Sequence, residues 1–523
     1  MRAPRAGALL LLVAFLAAAT ASCIISRGVE VSPLRFGQSD STTVRSAVKA
    51  HLVDGAVALF PEGVTVARNR IIGDGRRYDA TLKDSVAVRE IALDSVIGME
   101  AFRTRFDNLR TVVYSTLATV GVLAGTVAAI CISDPKCFGS CPTIYSDSAG
   151  VPVLEAEGFS YSISPLLEGR DVDRLRAQPD STGRLRLQVW NEALETHYIN
   201  QMELLEATHA PDELVVPDER SRPVAIRGVT TPSSMVDRAR RDVRAILAEA
   251  DGRIFTTDSA TLASASPEDA EDYIDLAFPN PRRGDRLAVV LRLRNSLLNT
   301  VLFYDLMLAR PGARSIDWIA NDLERISPTL DLGRWYASHL GLRVFVADGE
   351  RWKLVARLSD YGPIAWRDVA AVVGAPSGDS IRLRLSFLAD QWRIDRIAVG
   401  AAVRRPAVRV VPLAAVVNSA GVVESRALED LRRADDRYLQ TTPPQRFTVD
   451  FNVGAAPSGS ARTFFIVSQG YYIEWVRGDW MRGLRDTTTF RPGDAALLHT
   501  LRSWAAQKSS LEQRFYRTRI PVR

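Results

Sequence analysis

The sequence predicts a mainly β, multidomain fold, and three observations carry the prediction. Short apolar runs punctuated by Gly and Asp turn signals fill residues 44–100. Strict polar–apolar alternation marks Leu342–Val346 and Ile381–Phe387, the period of a half-buried strand. A helical pattern is confined to one apolar segment, Thr111–Ile132, and one C-terminal stripe. With 523 residues the chain has room for about three to four domains at roughly 150 residues each. A hydrophobic share of 46% and a charged share of 24% place it among globular chains, away from collagen-like or wholly disordered ones.

The first element is a basic start, Met1-Arg2-Ala3-Pro4-Arg5, followed by an apolar run, Leu9–Ala21, of the length of a signal-peptide core and short for a bilayer. This predicts export, with residues 1–22 as the signal peptide. The run ends Thr20-Ala21-Ser22-Cys23, which resembles a bacterial lipobox; the resemblance implies lipidation of Cys23 and makes residues 23–43 an anchor linker. Thr20 departs from the aliphatic residue usual there, and cleavage after Ala21 or Ser22 by an ordinary signal peptidase is the alternative.

Residues 44–100 read as a small SH3-like β-barrel of four to six strands: Val48–Val53, Val57–Phe60, Val64–Ala67, Val86–Val88, Ile91–Leu93 and Val96–Met99, separated by Asp54-Gly55, Glu62-Gly63 and Gly73-Asp74-Gly75. Thr111–Ile132 then gives 22 residues without a charge, long enough for a transmembrane helix, with Gly121 and Gly125 in a G-x-x-x-G spacing. Thr111, Ser115, Thr116, Thr119 and Thr126 lower its hydrophobicity, so a buried helix or membrane-associated hairpin is the alternative. Arg103, Arg105 and Arg110 precede the segment and Lys136 alone follows it, a charge bias that conflicts with an exported N-terminus. The expectation is a cell-envelope protein, membrane-anchored, with its large C-terminal part outside the cytoplasm.

Cys137 and Cys141 flank Phe138-Gly139-Ser140 and suit either a local disulfide or half of a metal site. No second cysteine pair and no nearby histidine completes the metal reading, so no metal and no cofactor are expected. Residues 140–329 read as a β-rich domain. Leu342–Val346, the Asp348-Gly349 turn, Trp352–Ala356 and Ile381–Phe387, with its arginines on the wet face, suggest a jelly-roll or galactose-binding-like sandwich over 330–410. Residues 411–523 follow as a β unit around Phe447–Val467 and a helix opened by Asp494, with Leu497, Leu501, Trp504 and Leu511 along one stripe.

Scattered short motifs span residues 140–480: Ser140-Cys141-Pro142-Thr143-Ile144-Tyr145, Glu155-Ala156-Glu157-Gly158-Phe159, Leu167-Glu168-Gly169-Arg170-Asp171, Asn191–Asn200, Asp435-Asp436-Arg437-Tyr438 and Gly470–Trp475. They resemble segments of uncharacterised bacterial envelope proteins and lipoproteins, and the β-rich C-terminal regions of some ASPIC/UnbV-type and TPR-containing bacterial proteins. The resemblance brings no chemistry with it, and no propeller or TPR period is present.

The formal charge of +5 rests on arginine, since only Lys49, Lys83, Lys136, Lys353 and Lys508 are lysines, and the arginines are interspersed with carboxylates. No basic stripe forms, which argues against nucleic acid. Glu192, Glu195, His197 and His209 gather acid/base and ligand chemistry within 18 residues, but without the i, i+4 spacing of a ligand pair on one helix face. Solvated or hydrogen-bonded structural roles outweigh a metal site for Glu192, Glu195 and His197. Tyr471, Tyr472, Glu474, Trp475 and Trp480 form an aromatic and acidic cluster of the kind that holds sugar rings, set against the commoner core role of such rings. No nucleophile elbow, phosphate loop, H-E-x-x-H or EF-hand loop is present, so no catalytic residue is assigned. The reading favours a non-enzymatic binding or scaffolding module with membrane, envelope-protein or glycan partners; a carbohydrate-binding or carbohydrate-active protein is the alternative.

Overall fold

The computed structural model describes residues 27–33, 41–45, 48–52, 57–67, 69–78, 85–106, 142–163, 165–193, 195–262, 270–280, 285–302, 335–336, 338–374, 378–435, 437–441, 445–454, 459–474 and 494–517. Strands dominate them, and the mainly β, multidomain expectation holds.

The N-terminal unit is one antiparallel sheet of eight strands: β1 (Arg27–Pro33), β2 (Ser41–Val44), β3 (Val48–Leu52), β4 (Val57–Phe60), β5 (Val64–Ala67), β6 (Arg70–Tyr78), β7 (Ser85–Ala92) and β8 (Val96–Phe106). Their order is β1-β8-β3-β4-β6-β5-β2, with β7 added to β6. Val48, Ala50, Phe60, Ile71, Met99 and Ala101 form its core. The unit is wider than residues 44–100 because β1 pairs along the whole N-terminal approach to the sheet, Arg27 opposite Phe106 through Pro33 opposite Glu100. Gly73-Asp74-Gly75, read as a turn, is instead a bulge inside β6, where a Cβ on Gly73 would stand 2.7 Å from the Gly63 carbonyl oxygen.

The remaining strands build two lobes. In the first, β9 (Thr143–Ser148), β10 (Val151–Glu157), β12 (Arg184–Trp190), β25 (Leu413–Asn418) and β27 (Arg446–Asn452) pair in the order β10-β9-β12-β27-β25. Facing them, β11 (Gly169–Arg174), β13 (Glu195–His209), β24 (Ala407–Val411) and β28 (Ala461–Glu474) pair in the order β11-β28-β13-β24, with β26 (Leu439–Thr441) also on β13. Alternation decides the faces: Leu185, Leu187 and Val189 of β12 and Phe447, Val449 and Phe451 of β27 point inward against Leu204, Phe464 and Ile466.

The second lobe is inserted between β13 and β24. Strands β14 (Leu214–Pro217), β15 (Pro223–Thr230), β18 (Leu287–Asn295), β21 (Arg367–Gly374) and β23 (Trp392–Arg404) follow the order β14-β15-β23-β18-β21. A parallel bridge from Asp218 to Ala370 brings the two ends of this sheet together. Its inner face carries Ala288, Ala370 and Ala398 beside Val216, Val224, Ile226 and Val290, small side chains that permit the tight curl. Its outer face, with Val289, Leu291, Ile394 and Ile397, packs on the inner face of a fifth sheet. That sheet comprises β16 (Ser234–Asp237), β17 (Glu271–Pro279), β19 (Leu342–Asp348), β20 (Arg351–Leu358) and β22 (Ser380–Leu388), ordered β16-β17-β22-β19-β20.

Three expectations change. Residues 330–410 are no separate sandwich, because β19, β20 and β22 complete a sheet begun by β16 and β17 while β21 and β23 complete one begun by β14 and β15. Residues 140–329 and 411–523 are not separate units either, since β12 pairs with β27 and β13 with β28 in the first lobe while β14–β18 of the former stretch belong to the second. The transmembrane helix is also corrected: among the described residues no helix is long and apolar enough to cross a membrane. Thr111–Ile132, Cys23, Cys137 and Cys141 lie outside the described residues.

The helix Asp494–Arg517 does start at the residue expected to open it, and buries Leu497, Leu501 and Trp504. These three pack on Tyr161, Tyr198, Tyr471 and Tyr472 of the first lobe and on Leu298, Val301 and Leu388 of the second.

One local device recurs four times. Asp180, Asp218, Asp237 and Asn418 each accept, on a side-chain oxygen, the amide N–H of residues two and four further on, or of the latter alone in Asp237. In each, the backbone closes between the first and fifth residues, and the fourth takes a left-handed φ: Gly183 at 77°, Ser221 at 57°, Arg240 at 63° and Gly421 at 81°. Arg222 and Arg241 add a salt bridge back to the opening aspartate. Left-handed backbone costs an L residue about 1–2 kcal/mol, and glycine's extra chain entropy offsets about 0.5–1 kcal/mol of the relief. Ser221→Gly and Arg240→Gly are therefore expected to stabilise the protein by about 0.5–1 kcal/mol each, read as a rise in denaturation midpoint in urea. Asp218→Ala, which strips two backbone amides of their acceptor, should lower it by about 1–3 kcal/mol.

Candidate functional site

The residues singled out from the sequence do not converge. Glu192 accepts hydrogen bonds from the Thr143 hydroxyl at 2.6 Å and the Tyr145 hydroxyl at 2.7 Å, tying β9 to the end of β12. Glu195 and His197 begin β13 and His209 ends it, so at about 3.3 Å per residue His209 stands roughly 40 Å from His197. There its Nδ1 lies 2.8 Å from the Ala210 carbonyl oxygen and its Nε2 2.9 Å from the Thr463 hydroxyl. Among the described residues no group of three or more His, Cys, Asp or Glu side chains is placed to hold a metal ion.

Glu195, His197 and Glu474 do meet. Glu195 lies opposite Glu474 across β13 and β28, and His197 Nε2 stands 2.6 Å from Glu195 Oε1, all three buried. Burial drives the imidazole of His197 down to about 3, against a weaker opposing pull from Glu474. Folded His197 is therefore neutral where an unfolded histidine, titrating near 6.5, begins to take a proton. Its contribution to stability is present above about pH 6.5 and is lost as pH falls from there toward 3. In proton NMR of the folded protein the His197 ring should show no titration between about pH 5 and 8.

The aromatic cluster expected around Tyr471 is built into the core. Tyr471 and Tyr472 are fully buried, and Tyr471 stacks on Tyr198 with ring centroids 4.7 Å apart, planes 9° apart. Tyr472 donates its hydroxyl hydrogen to the Ser160 carbonyl oxygen at 3.2 Å. These rings bear the C-terminal helix instead of facing solvent, while Trp475 and Trp480 lie outside the described residues.

An ion cluster at the seam positions the second lobe. Arg367, on β21, donates from Nη2 to Asp171 Oδ2 at 2.9 Å and to the Glu157 carbonyl oxygen, and its Nε stands 2.9 Å from Asp173 Oδ1 as an ion pair. The guanidinium also lies over the Tyr361 ring, 4.8 Å from its centre. Glu157 Oε2 accepts the amides of Ile364 and Ala365 at 2.8 and 2.9 Å. A Cβ at position 362 would stand 1.9 Å from the Glu157 carboxyl carbon, so Gly362 is what lets this loop close over the carboxylate. Arg174 and Arg292 reach Asp368 from either lobe.

The candidate binding face is the outer surface of the sheet holding β17, β19, β20 and β22. Arg384 is held between two rings, 3.8 Å from the centre of Tyr273 and 4.6 Å from that of Trp352. Asp275 fixes it with two hydrogen bonds of 2.7 and 2.8 Å. Exposed Arg382 lies 5.5 Å from the Trp352 ring centre, and Leu354, on the same strand as Trp352, is 51% exposed. Arg343 pairs with Glu271 at 3.3 Å. The arginines of Ile381–Phe387 are thus on the wet face, as their alternation predicts. Tyr273 and Asp275 joined them without a sequence signal, because β17 meets β22 across more than a hundred residues of chain.

No family model matches the chain, and no curated protein matches it. Among solved structures, the GH31 alpha-xylosidase from Xanthomonas citri is 11% identical over 83% of this chain and 38% of that one, with a TM-score of 0.15. The infectious bursal disease virus Gx strain structure is 7% identical over 94% of this chain and 88% of that one, at 0.14. The VP2 subviral particle of the same virus is 9% identical over 93% and 89%, at 0.11. This chain therefore spans well under half of the xylosidase, and scores this low decide neither fold nor function.

Removing one partner of a buried, hydrogen-bonded ion cluster leaves the others uncompensated, at a cost of about 3–5 kcal/mol. Arg367→Ala should therefore destabilise the lobes by about that amount in urea unfolding, more than Arg384→Ala at the half-exposed face.

Proposed function

We propose that the chain is a binding or scaffolding protein whose docking surface is the outer face of the β17–β22–β19–β20 sheet, and that its partner is a protein. The single observation that carries this reading is the Tyr273–Arg384–Trp352 stack, locked by Asp275 and bordered by Arg382 and exposed Leu354. Trp, Tyr and Arg are the side chains that concentrate binding energy in protein interfaces. Here they are already ordered, so little rotamer entropy is lost on docking. Arg384 and Arg343 are each paired with a carboxylate, which keeps the face from being a simple polyanion trap.

A second reading, carbohydrate binding, is favoured by one observation, the partly exposed Trp352 ring beside Arg382, an apolar plane next to a hydrogen-bond donor. The two are separated by combining chemical cross-linking of the native protein with a glycan array, using wild type, Trp352→Ala and Arg382→Ala. A cross-linked protein whose affinity, remeasured with the purified pair, falls at least tenfold in Trp352→Ala supports the first reading. Saturable glycan binding lost in the same variant, with the circular dichroism spectrum unchanged, supports the second. Partner and glycan binding unaffected by either substitution would remove this face from the function.

A further inference from the structure

The face inside the curl of the second lobe changes character along its strands. Val290 of β18, Ala370 of β21 and Ala398 of β23 lie side by side there. Two residues further along each strand, on the same face, stand Arg292, Asp368 and Arg396, again side by side. One step beyond, Arg294 lies over the Trp366 ring, 5.1 Å from its centre, with Arg292 5.8 Å from the same centre. Arg174 arrives from β11 of the first lobe and donates to Asp368 at 3.3 Å. Four guanidinium groups thus gather at one end of the curl, each on a partly exposed residue. Their carboxylates are too few. Arg292 donates from Nε to Asp395 at 3.1 Å and reaches Asp368 at 3.5 Å, and the other oxygen of Asp395 accepts the Gly252 amide at 2.9 Å. Arg294 meets only neutral acceptors, the carbonyl oxygens of Pro363 and Asn295. The Arg396 guanidinium has no hydrogen bond and no ion pair among the described residues, and its Nε, like that of Arg174, is buried without a partner.

We propose that this end of the curl is a binding site for a phosphoryl group, held by Arg292, Arg294 and Arg396 of the second lobe and by Arg174 of the first. Four guanidinium groups against Asp368 and Asp395 leave two positive charges unmatched. Other carboxylates at the seam are engaged elsewhere, Asp171 and Asp173 by Arg367, Asp390 and Glu512 by Arg393. Arg396 also stands directly opposite Arg292 across the strand pair, a like-charge pairing that destabilises a sheet and that an anion between the two relieves. A phosphoryl group carries a charge of about −1.5 to −2 at pH 7 and three strong acceptor oxygens, which matches that surplus and lets several guanidinium groups share one ligand. Arginine forks bind such oxygens through paired hydrogen bonds, where a single carboxylate would satisfy only one of them. The Trp366 ring beside the arginines offers an apolar surface to the organic part of a phosphate monoester. The ligand is therefore inorganic phosphate or such an ester. The site lies on a different sheet from the face around Trp352 and does not rest on that reading.

The full chain is titrated by calorimetry, in phosphate-free buffer of low ionic strength, with inorganic phosphate and separately with phenyl phosphate. One saturable site is expected, with affinity at least tenfold lower in Arg396→Gln and in Arg294→Gln and unchanged in Arg382→Ala on the outer face. Equal affinity for the two probes assigns the site to free phosphate. Phenyl phosphate binding at least tenfold tighter, with the gain lost in Trp366→Ala, assigns it to an ester. Urea unfolding separates a ligand site from a structural cluster. Without phosphate, Arg396→Gln should unfold at the wild-type midpoint or above it, because the like-charge pairing with Arg292 is gone. Phosphate should raise the wild-type midpoint and leave that of the variant in place. No saturable binding of either probe to wild type, or undiminished binding in both arginine variants, would overturn the proposal. A lower midpoint for Arg396→Gln without phosphate would overturn it too, since Arg396 would then be holding the fold and not a ligand.

Discussion

The arrangement of the two lobes depends on one buried cation. Arg367 sits on a strand of the inserted lobe, yet its partners, Asp171, Asp173 and the Glu157 carbonyl, belong to the lobe that the insertion interrupts. Burying several charges is costly, and the cost is recovered only when donors and acceptors meet in one geometry. An apolar seam would tolerate many rotations of one lobe on the other; this one tolerates few. Gly362, with Glu157 beneath it, extends the same constraint along the loop that leads into β21.

Apolar packing supplies the remainder. The four sheets of the two lobes stack so that most strands bury one face, and β13 and β28 bury both: Leu204 and Ile466 serve the core of the first lobe, Leu205, Phe465 and Val467 the contact with Val215 and Ala225 of the second. The C-terminal helix closes the far side, bringing Leu497, Leu501 and Trp504 onto rings and aliphatic side chains from both lobes. Asp390 gives that packing a direction, because Trp504, Lys508 and Arg393 all converge on it from fixed positions. The rings that resemble a sugar platform in the sequence are therefore the bed of this helix. Trp352, Tyr273 and their arginines lie instead on the outer face of the β17–β22–β19–β20 sheet, where they are partly exposed.

What the sequence by itself determined was local. Alternation placed β19 and β22 and the wet side of Arg382 and Arg384; Asp348-Gly349 placed a hairpin; and the spacing of Leu497, Leu501 and Trp504 placed a helix with its buried stripe. Each rests on interactions between residues a few positions apart, so a short window contains the whole signal. The bulge at Gly73–Gly75 shows the limit, since a turn and a bulge both require glycine and differ only in what lies across from it. The tertiary structure alone decided which strands are neighbours. Residues 411–474 return to strands laid down before residue 210, and 342–404 complete sheets opened at 214–279. Glu195, His197 and Glu474 form a cluster where Glu192 and His209 do not, because β28 brings Glu474 opposite Glu195 while an extended strand carries His209 to its other end. Pairings across hundreds of residues leave no periodic trace in either segment, because a strand's pattern records which face is buried and not what buries it.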